Sequence, residues 1–450
     1  MEGIAQQNNS AYYLIEGGHP LRGEVAVLGA KNALNKQLVA TLLTREPCIL
    51  RGVPRIAEVD TILKMLSGVG TDHEWLDAST LRLQTAEIRS VHVSQEYSGF
   101  NRIPILLLSP LLHRAGEASV PVMGGCQIGP RPVDFHLAAL EQMGVSVAPG
   151  ESGYSATCTR LRGGRIELPY PSVGATETAV LAAVLAEGTT TITNAAIEPE
   201  VVDTILFLQK MGAQISIGVN RQLTIEGVRE LHGTMHAPVS DRIEAASFAV
   251  AAVATDGEIC VRNARQEHMT TFLNALRKAG GGFRVEDSGI TFFREQAQLQ
   301  PQHLETDVHP GFMTDWQQPF AVLMTQAPGV SVIHETVYEN RFGYTNALRE
   351  MGSEIELSDF CMGRAECRFR GRGHAHSAVI RGGTRLCGAE IGIPDLRAGF
   401  AYIVAALVAE GTSRVTGLGY LERGYSDVPA RLQSIGASIT DSRQIQTRAA

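Results

Sequence analysis

A cysteine in a glycine-rich loop, shortly before an arginine, is the first place in this chain where chemistry could be done. The stretch runs Gly124-Gly125-Cys126-Gln127-Ile128-Gly129-Pro130-Arg131-Pro132-Val133-Asp134-Phe135-His136. Its glycines and prolines make the first half a loop. A thiol donates a proton, or attacks carbon as a thiolate, once a nearby cation tunes it. A guanidinium holds a carboxylate or phosphate through two parallel hydrogen bonds. Taken alone, one cysteine in such a loop also fits an incidental surface position. The rest of the chain has to decide.

Further candidates recur at equivalent turns: Lys31-Asn32, Asn101-Arg102, Ser172-Val173-Gly174, Asp241-Arg242, Thr314-Asp315 and Asp395-Leu396-Arg397, with Arg423 near the end. If such turns face one another across a cleft, Lys31, Arg102, Arg131, Arg397 and Arg423 gather there. Helix starts such as Ser172 to Thr176 would add N–H groups and positive dipole ends. That combination suits a substrate with several phosphate or carboxylate groups. Asp315 precedes an apolar helix, so it reads as an N-cap or as a general base. Glu198-Pro199-Glu200 and Glu339-Asn340-Arg341 read as first-turn charges complementing a helix dipole.

The elements that must position these residues come in six copies. Each copy is a buried apolar helix, a strand, an amphipathic helix ending in glycine, and a strand pair. The terminal glycines are Gly70, Gly144, Gly212, Gly280, Gly352 and Gly436, each expected as a left-handed C-cap. Six such units suit an α/β fold of two domains with three units each. The crossing is expected near 235–241, with a second near Lys31. The domains are then 31–239, carrying the Cys126 loop, and 1–30 plus 240–450. Gly17 to Val27 reads as a strand pair preceding the first unit. The last copy is spaced widest because Ser358 to Gly388 contains extra material. Its Cys361, Cys367, His374 and His376 have the spacing Cys-x5-Cys-x6-His-x-His. That matches no common zinc pattern, so no metal is expected there.

Composition sets the outer bounds. Of 450 residues, 44% are hydrophobic and 19% charged, enough for two cores. The formal charge of -8 argues against nucleic acid and anionic membranes as partners, so an anionic substrate needs a local basic pocket. Apolar stretches such as Ala398 to Ala409 are too short to span a bilayer. The N-terminal residues lack the pattern of a signal peptide. Seven cysteines in a long chain fit reduced thiols rather than a disulfide framework. A cytoplasmic protein, monomeric or weakly oligomeric, is the expectation.

These motifs resemble the enolpyruvyl transferases over nearly the whole chain. In family order stand Gly29-Ala30-Lys31-Asn32, Gly124-Gly125-Cys126 with Arg131-Pro132-Val133-Asp134, Ser172 to Thr176, Asn194-Ala195-Ala196 with Glu198-Pro199-Glu200, Asp241 to Glu244, Thr314-Asp315, Glu339-Asn340-Arg341-Phe342, Asp395 to Ala398 and Arg423-Gly424-Tyr425. The resemblance implies two inside-out α/β barrels of three repeated units each. It implies transfer of the enolpyruvyl group of phosphoenolpyruvate to the 3′-hydroxyl of UDP-N-acetylglucosamine, with release of phosphate and no cofactor. That is the first committed step of peptidoglycan synthesis.

By the same resemblance Cys126 is the proton donor and the thiol alkylated by the epoxide fosfomycin. Asp315 takes the acceptor's proton. Lys31, Asn32, Arg131, Arg397 and Arg423 hold phosphoenolpyruvate, and Asn32 and Asp395 position the tetrahedral intermediate. Arg102, Arg131, Pro132, Val133, Asp134, Phe135, Tyr170, Ser172, Val173, Gly174, Asp315 and Val337 fall where the nucleotide is held. Tyr170 stands where the family usually has lysine. The alternatives are another nucleotide acceptor, as in nucleoside-antibiotic pathways, or a nucleotide-sugar-binding paralogue without turnover.

Overall fold

The computed structural model describes residues 11–125, 129, 132–364 and 367–444. Cys126 and Arg131 therefore lie outside the described residues, as does the side chain of Arg397. The chain divides into two compact units. One contains Gly29–Gly125 and Arg131–Val239; the other contains Met1–Leu28 and Ser240–Ala450. Gly129 groups with the second of these, whereas the sequence reading put its whole loop in the 31–239 domain.

The repeat is visible in the backbone. All six terminal glycines have positive φ, from 89° at Gly144 and Gly436 to 121° at Gly70. An L side chain resists that conformation, and glycine does not. Each copy builds one sheet. Among the described residues, five sheets have four strands with one parallel pair, and the sixth has three antiparallel strands, Glu117–Pro121, Ser146–Gly150 and Gly153–Thr157. In that sixth sheet the parallel partner is reduced to a bridge between His92 and Ser119.

The 29–239 unit contains three of the sheets and the helices Lys31–Ala40, Pro104–Ala115 and Val173–Ala183. Pro104–Ala115 packs on both of the others. In the other unit, Arg242–Ala254, Gln317–Thr325 and Leu396–Val408 pack on one another. Every residue of the first two is buried. Beyond the polar residues at their starts, Arg242 and Glu244 in one and Gln317 and Gln318 in the other, these helices are almost wholly apolar, which favours burial on every side. Each unit has its own hydrophobic core.

The start of the chain departs from the expected strand pair. Tyr13–Glu16 inserts between Thr412–Thr416 and Ser438–Asp441. Arg22–Ala26 instead runs parallel to Glu258–Arg262 in another sheet. The first strand completes the sixth copy and the second completes the fourth. A local reading of Gly17 to Val27 could not see partners more than 200 residues away.

Candidate active site

In the second unit Asp315, one of the candidate residues, belongs to a buried ion pair. Asp315 sits in the 3-10 turn Thr314–Trp316. Trp316 locks that turn: its ring packs at 5.5 Å from Phe272 and 5.6 Å from Phe312, and its Nε1 donates to the Arg242 carbonyl at 3.3 Å. Asp315 does not cap a helix, contrary to one reading of the sequence. No side chain caps the turn, and the carboxylate pairs with the guanidinium of Arg341. That arginine side chain is only 1% exposed, so it is no surface complement to a helix dipole either. Gln318, with its amide oriented by its partners, accepts from Arg341 at 2.8 and 2.9 Å and donates to the Asp315 carbonyl at 3.1 Å.

Glu335 organises the surroundings of this pair, and the sequence reading passed over it. One carboxylate oxygen accepts from the Val337 and Tyr338 backbone at 2.7 and 2.9 Å. The other accepts from the Thr314 hydroxyl at 2.8 Å and from the Gln317 amide. One buried carboxylate thus ties the turn carrying Asp315 to the segment carrying Val337. Burial pushes the Glu335 pKa up, against the opposing pull of Arg341 and these donors. Burial also works against the charge on Arg341, but Asp315, Glu335 and Asp395 together hold its pKa above the ordinary value. Three acids sharing one buried cation is the electrostatic core of this half. The only sequence signal for it was the family motif around Arg341.

Asp395 is half-buried and accepts from the Ala398 N–H at 3.1 Å, at the start of the Leu396–Val408 helix. Arg423 follows the Leu418–Glu422 helix. Its neighbour Gly424 lies flat on Leu396, where a Cβ would collide with the leucine side chain. Arg423 is thereby fixed beside the helix start that carries Asp395 and Arg397.

In the 29–239 unit, Lys31 begins the Lys31–Ala40 helix and is 9% exposed. A chain of bonds sets its place. Buried Asp203 accepts from Gln37 at 2.7 Å, from the Val239 N–H at 2.8 Å and from His236 at 3.1 Å. The Val239 carbonyl then accepts from the Ala30 N–H at 2.7 Å, directly before Lys31. One turn on, Lys36 donates to the Asn32 carbonyl at 2.7 Å and lies 3.4 Å from Glu177. Burial pushes Glu177 up to about 7; Lys36 opposes this, while Glu198 and Glu200 add to it.

The nucleotide candidates of this unit are ordered by local bonds. Asn101 donates to Glu58 at 3.1 Å and accepts from the Ile103 N–H at 3.0 Å. Arg102 donates to the Pro132 carbonyl at 3.1 Å, which joins two stretches that the sequence reading assigned to one ligand. Val133 is buried, Pro132 and Asp134 are exposed, and Asp134 begins the Asp134–Gln142 helix next to Phe135. Ser172 caps the Val173–Ala183 helix through the Ala175 N–H at 3.4 Å, and its own N–H donates to the Tyr170 carbonyl at 2.6 Å. At Gly174 a Cβ would stand 2.8 Å from the ring of His136. The ring in turn bonds Thr178 at 2.7 Å. The glycine is required because the imidazole passes so close.

The family model for EPSP synthase (3-phosphoshikimate 1-carboxyvinyltransferase) matches residues 15–432. The chain belongs to this family of enolpyruvyl transferases. Within the family it is 49% identical over 433 residues to the UDP-N-acetylglucosamine 1-carboxyvinyltransferase of Protochlamydia amoebophila, covering 95% of this chain and 93% of that protein. It is 42% identical to the protein of that name from Granulibacter bethesdensis, covering 94% and 98%. Among solved structures, the enolpyruvyl transferase NikO from Streptomyces tendae has a TM-score of 0.84 at 22% identity, covering 96% of this chain and 98% of NikO. EPSP synthase from Acinetobacter baumannii has a TM-score of 0.76 at 18% identity, covering 96% and 100%. Those two likenesses establish a shared α/β fold with mixed sheets.

Proposed function

We propose that this enolpyruvyl transferase moves the enolpyruvyl group of phosphoenolpyruvate onto the 3′-hydroxyl of UDP-N-acetylglucosamine and releases phosphate. The observation that carries the reading is near-full-length identity of 47–49% to relatives of that activity. Each unit is read as an inside-out α/β barrel, its three helices within and its three sheets without.

The reaction adds a proton to carbon 3 of phosphoenolpyruvate and the acceptor oxygen to carbon 2. Loss of a carbon 3 proton and of phosphate from the tetrahedral intermediate restores the double bond. The roles assigned here are those the family resemblance implies, and the charge and proton needs of the reaction agree with them. Lys31, Arg131, Arg397 and Arg423, with Asn32, offset the carboxylate and phosphate. Cys126 gives the carbon 3 proton. Asp315 accepts the acceptor's hydroxyl proton, one of its oxygens being turned towards Arg341. Asp395 positions the intermediate. Arg102, Pro132, Val133, Asp134, Phe135, Tyr170, Ser172, Val173, Gly174 and Val337 hold the nucleotide.

A phosphate-release assay with phosphoenolpyruvate and UDP-N-acetylglucosamine tests the reading. Tyr170, standing where lysine is usual, favours one alternative, a different nucleotide acceptor. Turnover with other UDP-sugars, at rates above those with UDP-N-acetylglucosamine, would select it.

A further inference from the structure

The inserted segment of the fifth copy meets a histidine that the sequence did not connect to it. His334 ends the Gly329–His334 strand, and His376 directly precedes the neighbouring Ser377–Gly382 strand. His334 pairs with Ser377 across that ladder. Cys361 and Cys367 follow the third strand, Glu354–Ser358. One donor atom from each of His334, Cys361, Cys367 and His376 lies within 4.8 Å of all the others. His374, grouped with the cysteines on spacing, is not a member. It offers its backbone carbonyl to His376 Nδ1 at 2.6 Å.

The hydrogen bonds fix which ring nitrogens face the thiols. A carbonyl only accepts, so His376 carries its proton on Nδ1 and turns the Nε2 lone pair inward, 3.3 Å from the Cys361 sulfur. Ser377 donates to the Phe360 carbonyl at 2.7 Å, so its oxygen accepts from His334 Nδ1 at 2.9 Å. That leaves the Nε2 lone pair of His334, a fully buried side chain, with no hydrogen-bond partner. Such an orphan is costly in a protein interior. Metal-bound histidines characteristically donate their other N–H to a carbonyl or similar acceptor, which fixes the ring. Both rings here are held in that way. The Phe369 N–H also points at the Cys367 sulfur at 3.4 Å, and Gly363 packs so closely over His334 that a Cβ would strike the ring.

We propose that His334, Cys361, Cys367 and His376 bind one zinc ion, as two thiolates and two neutral imidazoles. Two soft sulfurs and two ring nitrogens select zinc over the hard cations that oxygen ligands favour. Zinc bonds of about 2.0–2.3 Å put tetrahedral donors roughly 3.3–3.8 Å apart, so the cluster needs only a small contraction. On binding, both thiols lose protons to solvent, and the charges of metal and thiolates cancel within a site whose ligands other than the half-buried Cys361 are buried. All four ligands are supplied by the protein, so the site is structural. It fastens the inserted loop to the sheet end next to Glu335, whose N–H donates to the His376 carbonyl at 2.8 Å.

The test uses the full chain, purified under reducing conditions without added metal and without a histidine tag. Elemental analysis should find one zinc per chain. The pair Cys361→Ser with Cys367→Ser should lose it, and so should His334→Ala. His374→Ala and Cys387→Ser should keep it. Because the cysteine pair could fail to fold, wild-type protein is also stripped with a chelator and given Co²⁺. Thiolate-to-cobalt charge transfer and intense tetrahedral bands are expected, abolished by equimolar zinc. Metal-free reduced protein that gives no such bands, zinc retained by the folded cysteine pair, or a Cys361–Cys367 disulfide in the reduced protein would overturn the proposal.

Discussion

Replacing Asp315 by asparagine separates a catalytic base from a structural partner. The substitution keeps shape and an accepting oxygen but removes the charge beside Arg341. Breaking a buried ion pair outright costs about 3–5 kcal/mol. Here the loss should be smaller, because Arg341 keeps both bonds to Gln318 and stays within the field of Glu335 and Asp395. About 1–3 kcal/mol is expected, the scale of one charged hydrogen bond. For a unit of this size that lowers the thermal midpoint by roughly 2–12 °C. Loss of a general base typically costs about 10²–10⁴-fold in rate. Phosphate release should therefore show kcat reduced by that factor, while calorimetry shows affinity for UDP-N-acetylglucosamine changed less than about tenfold. Near-normal turnover would remove Asp315 as the base. Lost nucleotide binding in a folded variant would make it an anchor, with Asp395 next to be tried as the base.

Three further outcomes follow from the same reasoning. Fosfomycin should alkylate Cys126, and peptide mass mapping that finds another cysteine labelled, or none in active enzyme, would refute the loop assignment. Gly174→Ala should push the His136 ring aside at a cost of about 1–3 kcal/mol and raise KM for the nucleotide more than it lowers kcat; an unchanged KM would detach this helix start from the acceptor. Glu177 supplies a pH signature: burial raises its pKa from 4.5 to about 7, so the folded state binds a proton that the unfolded chain releases between those values. Stability should thus fall by roughly 3 kcal/mol as pH rises from about 4.5 to 7, and urea unfolding should show this loss in the wild type but not in Glu177→Gln.

The repeat was legible because each copy announces itself locally. Gly144 and Gly436 cap their helices in the conformation that helix-ending glycines imply, and the Ala-rich runs around Ala249 and Ala401 are buried as their uniform apolarity requires. Pairings set by distant partners were not legible. Tyr13–Glu16 joins strands beyond residue 410, and nothing near it in sequence says so. The site divides the same way. Asp315 could be nominated from its position before an apolar helix. Glu335 could not, because its role lies in joining two segments through four hydrogen bonds. His334 escaped for a related reason: it reaches the cysteines through strand pairing, while His374, closer in sequence, points elsewhere.

The most direct measurement is turnover itself. Purified protein is incubated with phosphoenolpyruvate and each acceptor in turn, phosphate is followed continuously, and the nucleotide product is weighed by mass spectrometry. With UDP-N-acetylglucosamine, phosphate should appear in step with a nucleotide sugar heavier by one enolpyruvyl group, and with shikimate 3-phosphate nothing should form. Phosphate released without that adduct, or faster turnover with shikimate 3-phosphate than with the nucleotide sugar, would contradict the account.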